Sequence, residues 1–422
     1  MKASEVLKRL SSGEMIPLLR EIYSENIDEQ VLRYKEAIQS FMDYYGDQDI
    51  MIFSVPGKCE IGGNHTDHQQ GRVLASAIQL DSIGIVGKQD RYVKVIYNEL
   101  NINEIDTENI KYNEAKKGTM ESLINGVLFG LKQKNYHIGG FNAYIQCDIP
   151  RNVGLGSSAN FNIMIGTIIN YLYNEGKIEN KYLVQIGRFA TNIFYCKPSG
   201  LMNECVCCVG GFIKVDFRDP NLPDIYKLNT DFSNFDYTLC CVNSNVCRSD
   251  NTIDYDAIPK EMIKVANFFK KDVLRDVSYD EFMKNYRIVR ARVGDRPALR
   301  ALHFFKEEDR VLKQTEALEK GDFDTFLKLV RESGDSTFKA LQNIYPQEST
   351  RHQNIGTAIV LSENFLGEDG VVKVNGGGFS STMIAFVKTS VINDYAAYMD
   401  SIFGKGSCYI IHTREQGAIR LL

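Results

Sequence analysis

The spacing of apolar residues divides the chain into helical and extended segments. Apolar side chains recur at helical spacing through residues 1–48, which predicts a helical preface. Phe141–Ile149 alternates apolar and polar residues as a half-buried strand does, and Phe161–Tyr173 is a long apolar run typical of a buried helix. Further strands are predicted at these segments: Ile50–Ser54, Val73–Leu80, Ser82–Gly87 and Arg91–Tyr97, the last two as a pair. Residues 98–118 are polar and predict a surface excursion.

The second half repeats this mixture of strands and helices. Strands are predicted at Tyr237–Val242, Thr382–Val387 and Ser407–Ile411, with helices at 259–275, 279–290 and 296–334, the last broken at Lys320–Asp322. The breaker-rich stretch Arg218–Pro223 predicts a domain boundary near residue 220. The predicted organisation is therefore α+β, with a preface at 1–48 and two domains at 49–220 and 221–422.

Composition narrows the class of protein. The chain has 422 residues, 44% of them hydrophobic and 24% charged, which is enough to bury a sizeable core. Its net charge of −5 argues against a nucleic acid or an anionic membrane as the main partner. Residues 1–10 are charged, and no run of about 18 uncharged apolar residues occurs, so we predict a cytoplasmic protein.

Ten cysteines raise the question of metal binding. Cys205-x-x-Cys208 has the spacing of half a zinc site, but no second pair follows at a suitable distance. Cys205, Cys208 and Val209 instead fit one apolar face, so the sequence favours small buried thiols over a metal site.

A glycine-bearing turn at Pro150–Asn160 is the strongest candidate for chemistry. It lies between the alternating strand and the apolar helix, and Gly154 and Gly156 would let the backbone approach a phosphate. The free N–H groups and dipole of the helix N-terminus favour an anion, and Ser157 and Ser158 add hydroxyl groups. Taken alone, the same residues could form an ordinary helix start.

Two more glycine-rich loops lie far away in sequence. Val55–Gly71 is polar and carries His65, Asp67 and His68, whereas Gly376, Gly377 and Gly378 follow a short apolar segment. The triple glycine could be a bare turn, and His65 with Asp67 could be a hydrogen-bonded loop pair. Three such loops nevertheless predict one cleft assembled from both halves.

Together these loops resemble the small-molecule kinase family of galactokinase, homoserine kinase, mevalonate kinase and phosphomevalonate kinase (GHMP kinases). The stretch Gly154-Leu155-Gly156-Ser157-Ser158 resembles the family's ATP-phosphate loop, and Gly376–Gly378 its C-terminal glycine motif. Pro56-Gly-Lys58, followed by Gly63-Asn-His-Thr-Asp67, resembles the galactokinase signature Pro-Gly-Arg…Gly-Glu-His-Thr-Asp-Tyr. Val242–Val246 with Tyr255, and His303–Val311, also resemble the galactokinase branch.

The resemblance implies a two-domain fold with ATP and a sugar in the interdomain cleft. It implies that Gly154, Leu155, Gly156, Ser157, Ser158 and the triple glycine bind ATP, and that Ser158 is a ligand of Mg²⁺. It further implies that Asn64, His65, Asp67, Gly200 and Tyr255 contact the sugar. The expected reaction is phosphoryl transfer from ATP to the anomeric hydroxyl of galactose or a related sugar.

The departures from the family pattern all occur at positions where the family has catalytic or ligand-binding residues. The family's aspartate base stands in Gly-Ile-Met-Asp-Gln, which here is Gly200-Leu-Met-Asn203-Glu204, and an amide cannot act as a general base. Lys58 replaces an arginine, Asn64 replaces a sugar-binding glutamate, and Thr191 falls where a magnesium-binding glutamate is usual.

Two interpretations of these departures stay open from the sequence. The chain is an active sugar kinase, for galactose or for another polyol or amino sugar, with proton removal passing to Glu204, Asp67, a phosphate oxygen or water. Homoserine kinase, in the same family, is understood to work without the aspartate, and a loose transition state demands little early deprotonation. Alternatively, the chain is a catalytically silent sensor or regulator that binds sugar or ATP. The sequence leaves the oligomeric state open.

Overall fold

A computed structural model describes residues 1–150, 153–197, 199–230, 232–245, 252–347, 351–379 and 382–422, without the side chains of Ser233 and Thr252. The first half contains these elements in chain order: α1 (Ala3–Ser11), α2 (Ile16–Arg20), α3 (Ile27–Tyr45), β1 (Ile50–Gly62), β2 (Arg72–Lys88), β3 (Tyr92–Tyr97), β4 (Leu100–Asp106), α4 (Met120–Gln133), β5 (Phe141–Cys147), α5 (Ser157–Tyr173), α6 (Asn180–Phe189), α7 (Met202–Val209), β6 (Phe212–Asp216) and β7 (Asp224–Lys227). A π-helical turn, Ala190–Phe194, extends α6.

The second half alternates a short sheet with longer helices. Its elements are β8 (Tyr237–Asn243), α8 (Thr252–Phe268), α9 (Tyr279–Val293), α10 (Asp295–Glu319), α11 (Phe323–Ser336), α12 (Asn354–Leu366), β9 (Gly370–Val374), β10 (Thr382–Lys388), α13 (Ile392–Phe403), β11 (Cys408–Ile411) and β12 (Ile419–Arg420). The predicted break between two long helices is confirmed, because α10 ends at Glu319 and Asp322 caps α11 by accepting from the backbone N–H of Thr325.

The larger sheet is mixed and has eight strands among the described residues. Its main path runs β12-β1-β2-β5-β3-β4, and β6 pairs with β2 and carries β7 at its other edge. Helices α1–α3 cover one face through a cluster that includes Tyr34, Phe41 and Ile85. Helices α4–α7 cover the other face. Because both faces are covered, the central strands β1, β2 and β5 are buried over most of their length.

The strand pairing differs from the sequence prediction in two places. The segments 82–87 and 91–97 do not pair with each other, because β5 lies between them, antiparallel to β2 and parallel to β3. The polar stretch after residue 98 is not only a surface excursion, since β4 pairs with β3 at the sheet edge. Only Ile102 and Ile105 of β4 are buried, which explains why its sequence looks like a loop.

The smaller sheet lies wholly in the second half. Its order is β11-β8-β10-β9, all antiparallel, and α12 and α13 pack on one face around Tyr395 and Met399. Two segments beyond residue 220 join the larger sheet instead: β7 pairs with β6, and β12 pairs with β1. The larger sheet therefore extends past the boundary expected at 220 and includes the C-terminal segment.

A buried polar network links the helical preface to the C-terminal segment. The carboxylate of Asp81 accepts from Arg33 Nη1 at 2.7 Å, from Tyr23 Oη at 2.7 Å and from Arg414 Nη1 at 3.0 Å. Burial alone would raise the pKa of Asp81, but the two guanidinium groups and the hydrogen bonds lower it. An ionised carboxylate thus joins three separate parts of the chain.

The three clustered cysteines belong to this core. Cys205, Cys207 and Cys208 are buried in α7, and burial raises the pKa of Cys208 to about 12. Within the described ranges, no group of three or more His, Cys, Asp or Glu side chains is placed to hold a metal ion. No helix in the described part of the chain is both long and apolar enough to span a bilayer.

Candidate active site

A cavity of about 480 Å³ lies between the two halves of the molecule. It brings together all three glycine-rich loops and the N-terminus of α7. Every predicted site residue except Leu155 lines it: Lys58, Asn64, His65, Asp67, Gly154, Gly156, Ser157, Ser158, Gly200, Asn203, Glu204, Tyr255, Gly376, Gly377 and Gly378. Leu155 is buried, and its carbonyl accepts a hydrogen bond from the backbone N–H of Lys58 at 3.0 Å.

The loop before α5 has the conformation that only glycine adopts easily. Gly154 has φ of +73° and Gly156, which caps α5, has φ of +87°. A β-carbon on Gly156 would lie 2.8 Å from Cγ of Lys58, so the loop passes directly over the lysine. The hydroxyls of Ser157 and Ser158 make no hydrogen bond within the described part of the chain. Arg151 and Asn152 of this loop lie outside the described residues.

Lys58 is the buried cation of the cavity. It lies on β1, only 3% exposed, at a point where β1 is irregular next to Pro56 and Gly57. No carboxylate of the described residues forms an ion pair with it. The amino group is therefore available beside the N-terminus of the 17-residue helix α5, and the two form a positive environment suited to phosphate.

Asn64 lines the cavity, but its side chain makes its hydrogen bonds to other groups of the protein. Its Nδ2 donates to Glu60 Oε1 at 2.6 Å and to the carbonyl of Gly376 at 2.5 Å. Its Oδ1 accepts from Asn343 Nδ2 at 2.8 Å. Asn64 therefore joins β1 to the triple-glycine loop of the second half.

Helix α10, in the second half, holds the loop that carries Gly63 and Asn64. The backbone N–H of Gly63 donates to Glu307 Oε1 at 3.0 Å, and His303 Nε2 donates to the carbonyl of Asn64 at 2.9 Å. Burial lowers the pKa of His303 to about 4, so its ring is neutral at pH 7. The pKa of Glu307 falls to about 2, because Arg310 and other donors outweigh its burial. The residue pattern predicted this helix, but only the family resemblance of His303–Val311 connected it with the site.

His65 and Tyr255 meet over the triple glycine. His65 has φ of +59°, and its Nε2 donates to the carbonyl of Gly377 at 2.8 Å. Burial lowers its pKa, which leaves the ring neutral and Nδ1 an acceptor. The ring of Tyr255 lies 5.5 Å from that of His65, and a side chain on Gly377 would overlap it. A glycine is therefore required at residue 377.

Asp67 and Gly200 are in close contact across the cavity. Asp67 Oδ1 accepts from the backbone N–H of His68 at 2.8 Å, which fixes the carboxylate. A β-carbon on Gly200 would overlap Asp67 Oδ2. The loop before α7 can approach Asp67 only because residue 200 has no side chain.

The N-terminus of α7 presents Asn203 and Glu204. Glu204 is only 1% exposed, and burial raises its pKa to about 8, although Arg188 and Lys58 oppose the shift. Neither Glu204 Oε2 nor Asn203 Oδ1 has a hydrogen-bond partner within the described residues. Thr191 is engaged, since its hydroxyl accepts from Asn162 Nδ2 at 2.8 Å and donates to the carbonyl of Gly187 at 3.2 Å.

Several cavity residues were missed by the sequence analysis. These are Glu60, Ala159, Lys197, Ser199, Met202, Asp256 and Phe379. Glu60 is the most informative, because it stands four residues before Asn64 and shares a hydrogen bond with it. A sequence signal for Glu60 was available. Asn64 stands where the family signature has a glutamate, and a glutamate occurs four residues earlier, at residue 60.

Two family models match the chain. The galactokinase galactose-binding signature matches residues 39–88, and the GHMP kinases N terminal domain matches residues 122–211. A galactokinase from Streptococcus suis (strain 05ZYH33) is 27% identical over 361 residues, which cover 83% of this chain and 88% of that protein.

Solved structures share the fold over most of the chain. The galactokinase of Lactococcus lactis, complexed with galactose, aligns with a TM-score of 0.76 and 20% identity, covering 90% of this chain and 98% of that one. The mevalonate kinase of Methanococcus jannaschii aligns with a TM-score of 0.61 and 17% identity, covering 86% of this chain and 98% of that one. The fold is that of the GHMP kinases. The matches to the signature and to the Streptococcus relative show that the chain is similar to the galactokinase branch of that family.

Proposed function

We propose that the protein is a sugar kinase that transfers the γ-phosphoryl group of ATP to the anomeric hydroxyl of galactose or a close relative. The observation that supports this most directly is the shared cavity, in which the phosphate loop of α5 faces the galactokinase signature. The family match and the Streptococcus relative support the same reaction class. The comparisons give no support to the silent sensor that the sequence left open.

The nucleotide side has a donor set suited to a triphosphate. The N-terminal N–H groups of α5 and the buried ammonium group of Lys58 would stabilise negative charge on the phosphates. Lys58 supplies that charge without the planar fork of an arginine. A triphosphate in this position would lie next to the hydroxyls of Ser157 and Ser158.

Magnesium fits this donor set. Mg²⁺ prefers oxygen ligands and keeps several waters, with phosphates supplying much of its coordination. We propose that Ser158 supplies one ligand, because its hydroxyl has no other partner among the residues described. When bound, the ion would neutralise charge on the transferring phosphoryl group. Thr191 is not an alternative ligand in this arrangement, since its hydroxyl already makes two hydrogen bonds.

The sugar side lacks an aspartate base at residue 203. In the proposed mechanism His65, Asp67, Gly200 and Tyr255 position the sugar, and Asn203 contributes only a hydrogen bond. The ionised carboxylate of Glu204 takes the proton of the attacking hydroxyl. Glu204 is suited to this role because its side chain lines the same cavity and its Oε2 is unpartnered in the described structure. Phosphoryl transfer through a loose transition state needs little deprotonation before attack, so a displaced acceptor is sufficient.

The protein is proposed to act in the cytoplasm, where ATP is supplied. Consistent with a reducing compartment, the nine cysteines of the described residues are all free thiols.

The test is turnover of purified protein with MgATP and a panel of sugars, measured as ADP released. ADP formation above the sugar-free background with galactose or a close relative is the expected result. No turnover on any sugar would refute the kinase. Calorimetry with galactose and with a non-hydrolysable ATP analogue would then distinguish a silent binder from a protein that binds neither.

A further inference from the structure

The carboxylate of Glu60 lies inside the cavity but has no role in the proposed phosphoryl transfer. It lies near the end of β1, is only 5% exposed, and lines the space between the sugar signature and the triple glycine. A buried ionised carboxylate is costly unless it is paired and hydrogen-bonded. Its partners therefore indicate what it does.

Asn64 cannot replace the glutamate that the galactokinase signature carries at this point. Both N–H groups of its amide are used, one by Glu60 Oε1 and one by the carbonyl of Gly376. Its oxygen already accepts from Asn343. Asn64 has no donor left for a sugar and only one free lone pair.

The carboxylate of Glu60 is only half used by the protein. Oε1 accepts from Asn64 at 2.6 Å and lies 3.9 Å from Nζ of Lys373, a fully buried lysine that supplies a counter-charge. Oε2 makes no hydrogen bond within the described residues. It belongs to a cavity-lining side chain and can accept from a ligand hydroxyl.

We propose that Glu60 is the carboxylate that binds a hydroxyl of the sugar and determines which sugar is accepted. Asn64 is a positioning residue that holds Oε1 and thereby directs Oε2 into the cavity. The negative group of the sugar pocket has thus moved from residue 64 to residue 60, with an amide in its former place. This proposal rests on the proposed function, because it assumes that a sugar occupies this side of the cavity.

The experiment compares the wild-type protein with Glu60→Gln. The amide of glutamine can still accept from Asn64, so the loop is retained while the charged acceptor is lost. Binding of galactose and of its monofluoro derivatives, altered one position at a time, is measured by calorimetry, together with a non-hydrolysable ATP analogue. Fluorine removes a hydroxyl donor without much change in size, so the derivatives report which hydroxyl donates a hydrogen bond to Glu60.

We expect Glu60→Gln to weaken galactose binding about 10- to 100-fold, as for loss of a hydrogen bond to a charged group. Nucleotide affinity should stay within about threefold. One or two fluorinated sugars should bind the wild-type protein about tenfold or more weakly than galactose. The same sugars should show no further loss in Glu60→Gln, because the interaction they test is already absent.

A structural role for Glu60 would give a different pattern. Glu307→Gln is the matched control, since Glu307 is also buried and holds the same loop through Gly63 N–H but does not line the cavity. Any loss in that variant should be equal for all the sugars. The proposal would be overturned if Glu60→Gln bound galactose within threefold of wild type, or if it weakened the binding of sugars and of nucleotide equally. Absence of sugar binding by the wild-type protein would instead overturn the proposed function, and this proposal with it.

Discussion

Substitution of Gly200 by alanine tests the sugar side of the cavity with a single methyl group. The backbone at residue 200 is not in the left-handed region, so alanine adds no conformational strain there. The added β-carbon would overlap Asp67 Oδ2, whereas ordinary van der Waals contact begins at about 3.4 Å. The carboxylate must therefore move by about 1 Å or more, and its hydrogen bond from the His68 N–H must break or lengthen.

The size of the effect follows from that displacement. A misplacement of about 1 Å at a substrate-positioning group can cost about 10²-fold in rate. We therefore expect kcat/KM for the sugar to fall about 10²-fold in Gly200→Ala, which corresponds to about 2.7 kcal/mol of transition-state stabilisation. The affinity for a non-hydrolysable ATP analogue should change little, because Asp67 lies on the sugar side.

The assay is steady-state ADP release, measured at varied concentrations of sugar and of ATP. It is applied to the proteins of a double-mutant cycle. The four proteins are wild type, Gly200→Ala, Asp67→Ala and the double variant. If the methyl group acts by displacing Asp67, it should have almost no effect once residue 67 is alanine. Additive losses would refute the reasoning, and so would a Gly200→Ala variant with wild-type kcat/KM. Melting temperatures of all four proteins show whether any loss is due to unfolding.

Outcomes are expected at four further positions, which are residues 203, 204, 156 and 81. Asn203→Asp should raise kcat about tenfold or more if residue 203 is the vacated base position, and an unchanged or lower kcat in ADP-release assays would count against that assignment. Burial raises the pKa of Glu204 to about 8, so kcat/KM should rise as pH increases through 8 and Glu204→Gln should abolish the rise. The same shift means that folding favours the protonated acid, so Glu204 should lower stability increasingly as pH rises from its unfolded pKa toward 8; thermal melts should show no such trend in Glu204→Gln. Gly156→Ala should weaken ATP binding through its strained φ and its contact with Lys58; Gly118→Ala, with φ of +75° and open space around it, is the control and should cost about 1 kcal/mol of stability without loss of ATP affinity. Asp81→Asn should lower the free energy of unfolding by about 3–5 kcal/mol in chemical denaturation, because buried Arg414 loses its anion and buried Arg33 keeps only the partly exposed Asp148.

The sequence alone was sufficient for many of the local elements and for most of the cavity, but not for β4 or α12. Helical periodicity and strand alternation depend on neighbouring residues, so α5, β5 and the α10–α11 break were predictable. The three glycine loops could be placed in one cleft because their residues match a family pattern in the right order. Among the predicted site residues only Leu155 does not line the cavity, since its side chain is buried and only its carbonyl reaches Lys58.

Only the tertiary structure decided the pairing of strands and the use of polar side chains. The insertion of β5 between β2 and β3, and the return of β12 to β1, depend on packing between segments distant in sequence. The amide of Asn64 could in principle bind a sugar hydroxyl. Its hydrogen bonds are instead made with Glu60, Gly376 and Asn343, and no local sequence pattern shows that these three residues lie beside it. Residue identity fixes what a side chain can donate or accept, whereas long-range folding determines which of those capacities remain available to a ligand.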